Sequence, residues 1–395
     1  MSDLTGRQRA LRAFRHIEPD RTPIFEKLIK PPAADVLLGH PCAQTNFPYR
    51  MDLLGRCEWE EIVEREAQDI LAKAELLGMD LIPLGPSLGR GFGRPKKIGE
   101  YTWQTGGTIQ RFMPDSEVIE SRPVTPVTVD PETQALNQQK AIEAEWKAPQ
   151  YSDEGFAVFR RVKELMKEKG LDMAIFSMAY FVGAATLPPF MLEWFHTHPE
   201  LIKRHYQKQA DSAIVYIRKL VEMGADIIAL GGDFASDHGP MISHKHYEEF
   251  IAPALKRQSD VCHQLGKPCT NASDGDLWSV LEGFLIWSGV DGYEEIDYAA
   301  GMDLARLKRE YGSFTFIGNM DIRHIMTRGS VEDVKRATVE CIEKGRGEGG
   351  HILMSSNCIH KDVRPECLFA LYEAHSEYFG YAPPQGVRKW RESAV

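Results

Sequence analysis

The chain has 395 residues, of which 43% are hydrophobic and 26% are charged, and its formal net charge is −10. These values are typical of a globular protein, and the excess of acidic residues argues against nucleic acid or an anionic membrane as the main partner. No apolar run reaches the roughly 18 residues that a membrane span needs. The seven cysteines form no CxxC pair, and the first five residues lack the pattern of a signal peptide. We therefore expect a protein of the reducing cytoplasm without a disulfide framework.

The N-terminal part of the sequence predicts two pairs of elements. Helices are expected over residues 5–15 and 58–77, and strands over residues 22–26 and 80–84, from apolar periodicity and capping residues. Residues 27–55 are rich in proline and aromatic residues and are predicted to be irregular. We expect them to cover one end of the domain.

An insertion is predicted at about residues 86–131. The glycine-rich segment 87–97 lacks the GxxxxGK[ST] spacing, so a mobile basic loop is favoured over a phosphate-binding loop. Residues 101–110 alternate around Gly106-Gly107 and predict a β-hairpin. A proline-rich excursion is expected over residues 112–131.

From there to the C-terminus, short apolar runs alternate with amphipathic segments. The predicted strands are 173–177, 226–230, 267–271, 290–296, 314–318 and the apolar run that begins at His351. The predicted helices are 133–146, 154–169, 187–195, 199–223, 245–265, 277–287, 304–311, 331–344 and 366–379. Eight strands separated by helices predict a parallel (β/α)₈ TIM barrel, as one domain of residues 1–395 with an N-terminal helical and irregular extension. A doubly wound sheet is the alternative, but no glycine fingerprint follows the first strand.

Polar or ionisable residues follow nearly every predicted strand, where a parallel barrel assembles its chemistry. They are Glu26, Ser177, Tyr180, Asp233, Asn271, Asp274, Glu294, Glu295, Asp297, Asn319, Asp321, Cys358 and His360. Each Asp or Asn alone is more simply explained as a turn residue. Cys358 is not a turn former, and its alternative is a buried core thiol. A thiol and an imidazole converging with Asp274 and Asp297 could hold a soft metal such as zinc.

Four segments resemble the uroporphyrinogen decarboxylase superfamily. They are Leu81-Ile82-Pro83-Leu84 after Asp80, Gly289-Val290-Asp291-Gly292-Tyr293, Gly318-Asn319-Met320-Asp321 and the segment around Cys358. The resemblance is best over about residues 224–380 and implies a barrel independently of the strand count. The superfamily contains decarboxylases that need no cofactor, and zinc-dependent methyltransferases that exchange methyl groups with the cobalt of a corrinoid protein.

The decarboxylase branch fits poorly. Its N-terminal RQAGRY motif, which grips substrate carboxylates, corresponds here to residues 25–30, which contain no arginine. Its GHG histidine is replaced by the segment Asn357-Cys358-Ile359-His360. Asp80 matches the position of the catalytic aspartate, although it also fits a helix–strand junction. The resemblance therefore excludes uroporphyrinogen as the expected substrate.

The methyltransferase branch typically binds zinc through an HxCG motif after strand five and a cysteine after strand eight. Cys358 matches that cysteine, whereas Ala272-Ser273-Asp274-Gly275 lies where HxCG is expected. The resemblance thus implies zinc ligands from Asp274, Asp297 or Glu295, and Cys358, with His360 as a further ligand. Oxygen ligands leave zinc a stronger Lewis acid, suited to an ether or alcohol oxygen.

We therefore expect a methyltransferase that moves a methyl group from a small donor, such as a methoxylated aromatic, to a corrinoid protein. No corrinoid-binding pattern such as DxHxxG is present, so cobalamin is expected to come from a partner protein. Asp233, Tyr180 and Asn319 are expected to orient the substrate, and Asp80 is kept as a catalytic candidate.

Two other functions stay open at this point. A metal-independent decarboxylase or lyase would act on a small carboxylic acid with Asp80 and the pocket carboxylates, helped by Arg90 or Arg94. A binding barrel without catalysis is the second alternative. A homodimer is compatible with either of them and with the methyltransferase.

Overall fold

The computed structural model describes residues 4–126 and 128–393. Residues 1–3, to which the signal-peptide argument partly refers, lie outside the described residues, as does Val127 within the predicted insertion. No helix in the described ranges is long and apolar enough to cross a membrane. That residues 1–395 form a single domain stays a prediction.

The centre of the molecule is a curved, entirely parallel sheet, which confirms the predicted barrel class. Its seven strands are adjacent in chain order, as a (β/α) barrel requires. They are β1 (Leu81–Pro83), β6 (Ala174–Met178), β7 (Ile227–Gly231), β10 (Cys269–Ala272), β11 (Gly292–Ile296), β12 (Thr315–Gly318) and β13 (His351–Ile352).

The predicted first strand, residues 22–26, is reduced to single bridges that join the two edges of this sheet. Phe25 donates its N–H to the carbonyl of Leu353 at 3.2 Å, beyond the end of β13. On the other side, Asp80 donates its N–H to the carbonyl of Ile24 at 2.9 Å, just before β1. Hydrogen bonds on both sides place this segment between β13 and β1 and complete the eight strand positions of the barrel, although it is too irregular to count as a strand. We call each strand position a stave, and this segment, which comes first in the chain, the first stave.

Helices cover the outside of the sheet, mostly where the sequence predicts them. They are α1 (Gly6–Phe14), α2 (Ala33–Leu38), α3 (Phe47–Arg56), α4 (Trp59–Leu77), α5 (Pro131–Glu143), α6 (Ala157–Glu168), α7 (Pro189–Thr197), α8 (Pro199–Met223), α9 (His244–His246), α10 (Ala252–Gln264), α11 (Leu304–Glu310), α12 (Val331–Gly345), α13 (Pro365–Phe379) and α14 (Gln385–Ser393). Residues 27–55 are therefore not wholly irregular, because they contain α2 and α3. The helix predicted over 277–287 is a short 3₁₀ turn followed by a π-helical turn, Gly283–Trp287.

The predicted insertion contains more β-strands than the single hairpin that the sequence predicts. Strands β2 (Lys96–Gly99), β3 (Thr102–Thr105), β4 (Thr108–Met113) and β5 (Val118–Pro123) form a four-stranded antiparallel sheet. The expected turn at Gly106-Gly107 joins β3 to β4, whereas the expected proline-rich excursion includes β5. A two-residue pair, β8 (Ala235–Ser236) and β9 (Gly239–Pro240), forms a separate hairpin after β7.

The loop at residues 87–97 is tied to α4 rather than left free. Arg90 is ion-paired with Glu60 and lies over the ring of Trp59, and Arg94 lies 2.5 Å from Glu58. Both arginines of this loop are thus engaged within the chain.

Candidate active site

A lysine, a tyrosine and two glutamates meet at the carboxyl ends of the barrel strands. Lys27, just after the first stave, donates to the Tyr180 hydroxyl at 3.0 Å and is ion-paired with Glu295. The Tyr180 hydroxyl in turn donates to Glu294 Oε1 at 2.8 Å. We call these four residues the mouth cluster. It links three staves of the barrel through one continuous hydrogen-bonded chain.

A β-bulge explains why two consecutive glutamates reach the same cluster. Successive side chains of a regular strand point to opposite faces. The pairing of β11 with β12 shifts register between Glu294 and Ile296, and Glu295 has a positive φ of 65°. Such a bulge re-aims a side chain, and bulges are frequent beside active sites. Here the bulge places a second carboxylate on Lys27.

The mouth cluster keeps a proton available near neutral pH. Glu294 is fully buried, and this burial raises the pKa of its carboxyl group to about 7, against the opposing effect of Lys27. Burial and the two glutamates also raise the pKa of Tyr180 well above its usual range, so the phenol stays protonated. Tyr180 remains 38% exposed and therefore connects the buried acid to the mouth.

A second buried acid lies on the stave next to Lys27. Glu26 accepts hydrogen bonds from Ser355, from the hydroxyl at 2.5 Å and from the N–H at 3.1 Å. Burial raises the pKa of Glu26 to about 8 despite these bonds. Glu26 is therefore mostly protonated at neutral pH.

The far side of the mouth is acidic. Asp274, two residues after β10, accepts a hydrogen bond from the Asn357 amide at 3.1 Å. Burial, together with Asp233, Glu295 and Asp297, raises the pKa of Asp274 to about 6. Asp233 itself is exposed at the end of β7. Unneutralised carboxylates at this rim favour a neutral or cationic ligand over a polyanion.

Two predicted site residues serve the scaffold instead. Asp80 precedes β1, at the amino end of the barrel, where it accepts from Arg21 at 2.6 and 2.8 Å and from Arg9 at 3.2 Å. It therefore lies away from the mouth cluster. Asn319 is buried and donates its amide to the carbonyls of Ile296 and Met302, both at 3.0 Å. These bonds occupy the amide that was expected to orient a substrate.

The five residues predicted as zinc ligands do not form a metal site. Glu295 is engaged by Lys27, and Asp297 is ion-paired with Arg323. His360 Nδ1 faces the backbone N–H of Asp362 at 3.2 Å. Across residues 4–126 and 128–393, no three of these five bring their ligand atoms within 4.8 Å of one another. Zinc at the mouth therefore does not fit this arrangement of side chains.

A cavity of about 440 Å³ opens beside the mouth cluster. Lys27 and Met178 form part of its wall, and Arg50 in the same wall is held by Glu66 at 2.7 Å and Ser87 at 3.0 Å. A neighbouring cavity of about 420 Å³ lies under the inserted sheet. Its walls are mainly proline and aromatic: Pro31, Pro32, Phe47, Pro48, Tyr101, Phe112 and Pro114. Thr45 lines both cavities, so they adjoin.

The sequence does not single out Lys27, although this residue is central to the site. Lys27 follows the first stave, but a single lysine in an irregular segment carries no motif. Glu26 and Glu294 were recognised only as residues at strand ends. A useful signal was available: Phe25-Glu26-Lys27 places two opposite charges directly after an apolar stretch, which is unusual unless the charges are paired.

Comparison with known proteins gives both a family and a fold. Residues 141–378, more than half of the chain, match the family model described as Uroporphyrinogen decarboxylase (URO-D). A methyltransferase structure from Methanosarcina mazei superimposes with a TM-score of 0.61 at 18% identity, over 95% of this chain and 100% of that one. At this identity the superposition shows the fold.

Two curated relatives differ in activity. The chain is 27% identical over 158 residues to the methylated-thiol--coenzyme M methyltransferase of Methanosarcina mazei, covering 39% of this chain and 40% of that protein. It is 26% identical over 158 residues to the uroporphyrinogen decarboxylase of Crocosphaera subtropica, covering 40% of this chain and 42% of that protein. The chain thus matches less than half the length of each relative. Because the two identities are nearly equal, the choice between the activities rests on the site.

Proposed function

Since this chain belongs to the uroporphyrinogen decarboxylase family, we propose that it is a methyltransferase of that family rather than a decarboxylase. It would transfer a methyl group from a small methylated donor to the cobalt of a separate corrinoid protein. The observation that carries the proposal is the mouth cluster, where the partly exposed Tyr180 hydroxyl lies beside Lys27, which lines a cavity and is already neutralised by carboxylates.

The cluster suits the departure of a methylated heteroatom. When a methyl–oxygen bond breaks, the oxygen keeps the electron pair and needs a proton, because an alkoxide or phenolate is a poor leaving group. In that step the Tyr180 hydroxyl turns from Glu294 to the leaving oxygen and gives it its proton, and protonated Glu294 replaces the proton on Tyr180. Lys27 stays charged, since the two glutamates raise its pKa, and its ammonium stabilises the negative charge that passes through the phenol.

The chain's own contribution is limited to binding, orientation and proton transfer. The corrinoid, when its protein docks, supplies the nucleophile. Tyr180 and the cavity walls must then hold the donor with its methyl group facing outward, in line with the leaving atom. Cys358, near Lys27 and Glu295, and Asp274, near Glu295, border the same mouth. No step of this proposal passes through zinc.

Decarboxylation of an anionic substrate is disfavoured because the lysines and arginines that could bind its carboxylates are already paired with acidic residues of the chain. Lys27 is bound by glutamates, and Lys30 lies 3.6 Å from Glu117. Arg90 and Arg94, which the lyase alternative would use, pair with α4. A substrate carboxylate would have to displace an existing ion pair at each of these positions. The same pairing leaves a neutral methylated donor unaffected.

An aromatic donor fits the second cavity. Phe47 and Phe112 stack there with ring centroids 5.8 Å apart, and an additional ring gains from such contacts by offset or edge-to-face packing. The cavity volume of about 420 Å³ is within the range of small-molecule sites. We therefore propose methoxylated aromatics as the first donors to test.

The test is methyl transfer to reduced cobalamin, free or on a carrier protein, with methoxylated aromatics, methylamines and methyl thioethers as donors. At least one donor should change the cobalamin spectrum to that of the methylated form. The Tyr180→Phe variant should lose about 10²-fold or more in rate, because the phenol links the acid to the leaving atom. Tyr311→Phe, at the end of α11, is the matched control and should keep the wild-type rate.

Either of two results would overturn the proposal. One is failure of every donor with both forms of cobalamin. The other is formation of coproporphyrinogen from uroporphyrinogen above a control without enzyme.

A further inference from the structure

Three side chains of metal-binding type converge at the amino end of the barrel, opposite the mouth. His263 lies near the end of α10, Cys269 begins β10, and Asp291 directly precedes β11. An imidazole nitrogen, the thiol sulfur and a carboxylate oxygen all lie within 4.8 Å of one another. In the described ranges this is the only group of three such residues that meets this limit.

Backbone and side-chain hydrogen bonds hold the three residues in place. Asp291 Oδ2 accepts from the Cys269 N–H at 2.8 Å and lies 2.9 Å from His263 Nε2. The Asp291 N–H donates to the Cys269 carbonyl at 2.8 Å. Two neighbouring strands and a helix terminus therefore fix the positions of the ligand atoms before any ion is present.

We propose that His263, Cys269 and Asp291 bind a divalent ion of the zinc class. Nitrogen, sulfur and oxygen ligands at a tetrahedral zinc ion are separated by about 3.3–3.6 Å, given bond lengths of about 2.0–2.3 Å. From a separation of at most 4.8 Å, the side chains need to move by only about 1 Å to reach it. A solvent molecule or Cys262, next to His263 in α10, takes the fourth position.

The solvent exposure of two of the three side chains gives an ion a route to the cluster. Cys269 is fully buried, whereas the side chains of His263 and Asp291 are 43% and 35% exposed. An ion can therefore enter from solvent between the imidazole and the carboxylate and reach the thiol last.

The location indicates a structural ion rather than a catalytic one. Residues at the amino ends of barrel strands contribute to stability, whereas chemistry is assembled at the carboxyl ends. A bound ion would fasten the end of α10 to the start of β10 and β11. This proposal is independent of methyl transfer, because its site lies at the other end of the barrel.

The experiment loads the chelator-stripped full chain with Zn²⁺, or with Co²⁺ as a spectroscopic probe. We expect about one tightly bound ion per chain and a near-ultraviolet band from a cobalt–thiolate bond. His263→Ala should weaken binding at least about tenfold, a loss that even removal of a partner of a metal ligand can cause. Cys269→Ser should abolish the thiolate band.

His244→Ala is the matched control, because His244 is also exposed and also paired with a carboxylate, Glu248, at 3.2 Å. It should bind the ion as the wild type does, and so should Cys358→Ser at the mouth. Asp291→Asn provides a second test if circular dichroism shows that His263→Ala is unfolded. The proposal is overturned if the wild type binds no ion at low micromolar concentration, or if Cys358→Ser loses the ion while His263→Ala keeps it.

Discussion

The two ends of the barrel carry buried charge clusters with different balances of cations and acids. At the amino end, two arginines, Arg9 and Arg21, surround the single carboxylate of Asp80, which also accepts from the Ile24 N–H at 3.0 Å. At the carboxyl end, the single Lys27 faces Glu294 and Glu295. Arg9 also pairs with Asp20 at 2.7 Å, so the amino-end cluster is balanced, whereas the mouth cluster has a surplus of acids.

This difference indicates that the amino-end cluster stabilises the fold, whereas the mouth cluster can exchange protons in a reaction. The Asp80 side chain, just before β1, accepts from Arg9 of α1, from Arg21 and from the Ile24 N–H of the first stave, so the cluster closes the barrel. At the mouth the surplus acid cannot be neutralised by one lysine, and burial therefore raises the pKa of Glu294 to about 7. A group that titrates near neutral pH can give and take protons during a reaction.

The largest expected effect comes from breaking the amino-end cluster. Asp80→Ala leaves two largely buried arginines without their shared carboxylate, and the Ile24 N–H without an acceptor. Removing one partner of such a buried pair costs about 3–5 kcal/mol in the free energy of unfolding. The urea midpoint of Asp80→Ala should fall accordingly. Glu61→Ala, which removes the exposed pair with Arg65 on α4, should shift the midpoint very little.

If the variant instead keeps its stability but loses methyl transfer, Asp80 acts in the reaction, as its match to the decarboxylase position suggested. The free energy of unfolding and the rate therefore have to be measured on the same preparations.

The fold was largely predictable because local signals agreed with one another. The capping box at Thr5 and Gln8, and the left-handed glycine at the end of α4, mark the helix ends that the sequence predicted. Errors arose where long-range contacts override local preference. The first stave is held only by its two neighbours, and Gly283–Trp287 winds into a π-helical turn. Neither feature has a signature in the residues themselves.

The site was less predictable than the fold. Tyr180 and Glu295 belong to the mouth cluster, Asp274 lies near Asp233 and Glu295, and Cys358 lies near Lys27 and Glu295, whereas their roles in the reaction stay predictions. Their pairing could not be read from sequence, because the bulge at Glu295 and the ion pair with Lys27 depend on tertiary packing. The predicted zinc set failed for the same reason: Arg323 is distant in sequence from Asp297 yet engages its carboxylate.

A smaller effect should appear in the pH dependence of methyl transfer. If Glu294 supplies the proton, the rate falls as pH rises above about 7, because the raised pKa marks where that proton is lost. The decline should approach tenfold per pH unit. Glu294→Gln should be slower at pH 6 and should lack this decline between pH 6 and 9.

Glu310→Gln, which alters an exposed carboxylate paired with Arg306, is the control and should keep the wild-type pH profile. A Glu294→Gln variant that declines as the wild type does would assign the proton to another group.

The last expected effect concerns stability and the second buried acid. The pKa of Glu26 is raised from 4.5 to about 8 by burial, so between these values the folded chain holds a proton that the unfolded chain has lost. Its contribution to stability is complete below pH 4.5 and is lost as pH rises through 8, at up to about 1.4 kcal/mol per pH unit.

In Glu26→Gln, the amide keeps the neutral shape: its oxygen accepts from the Ser355 N–H, and its NH₂ donates to the Ser355 hydroxyl. The wild type should therefore lose stability relative to Glu26→Gln between pH 5 and 8, measured as urea midpoints at both pH values. Equal pH slopes for the two proteins would show that Glu26 is ionised in the fold, and would place the surplus proton of the mouth on Glu294 alone.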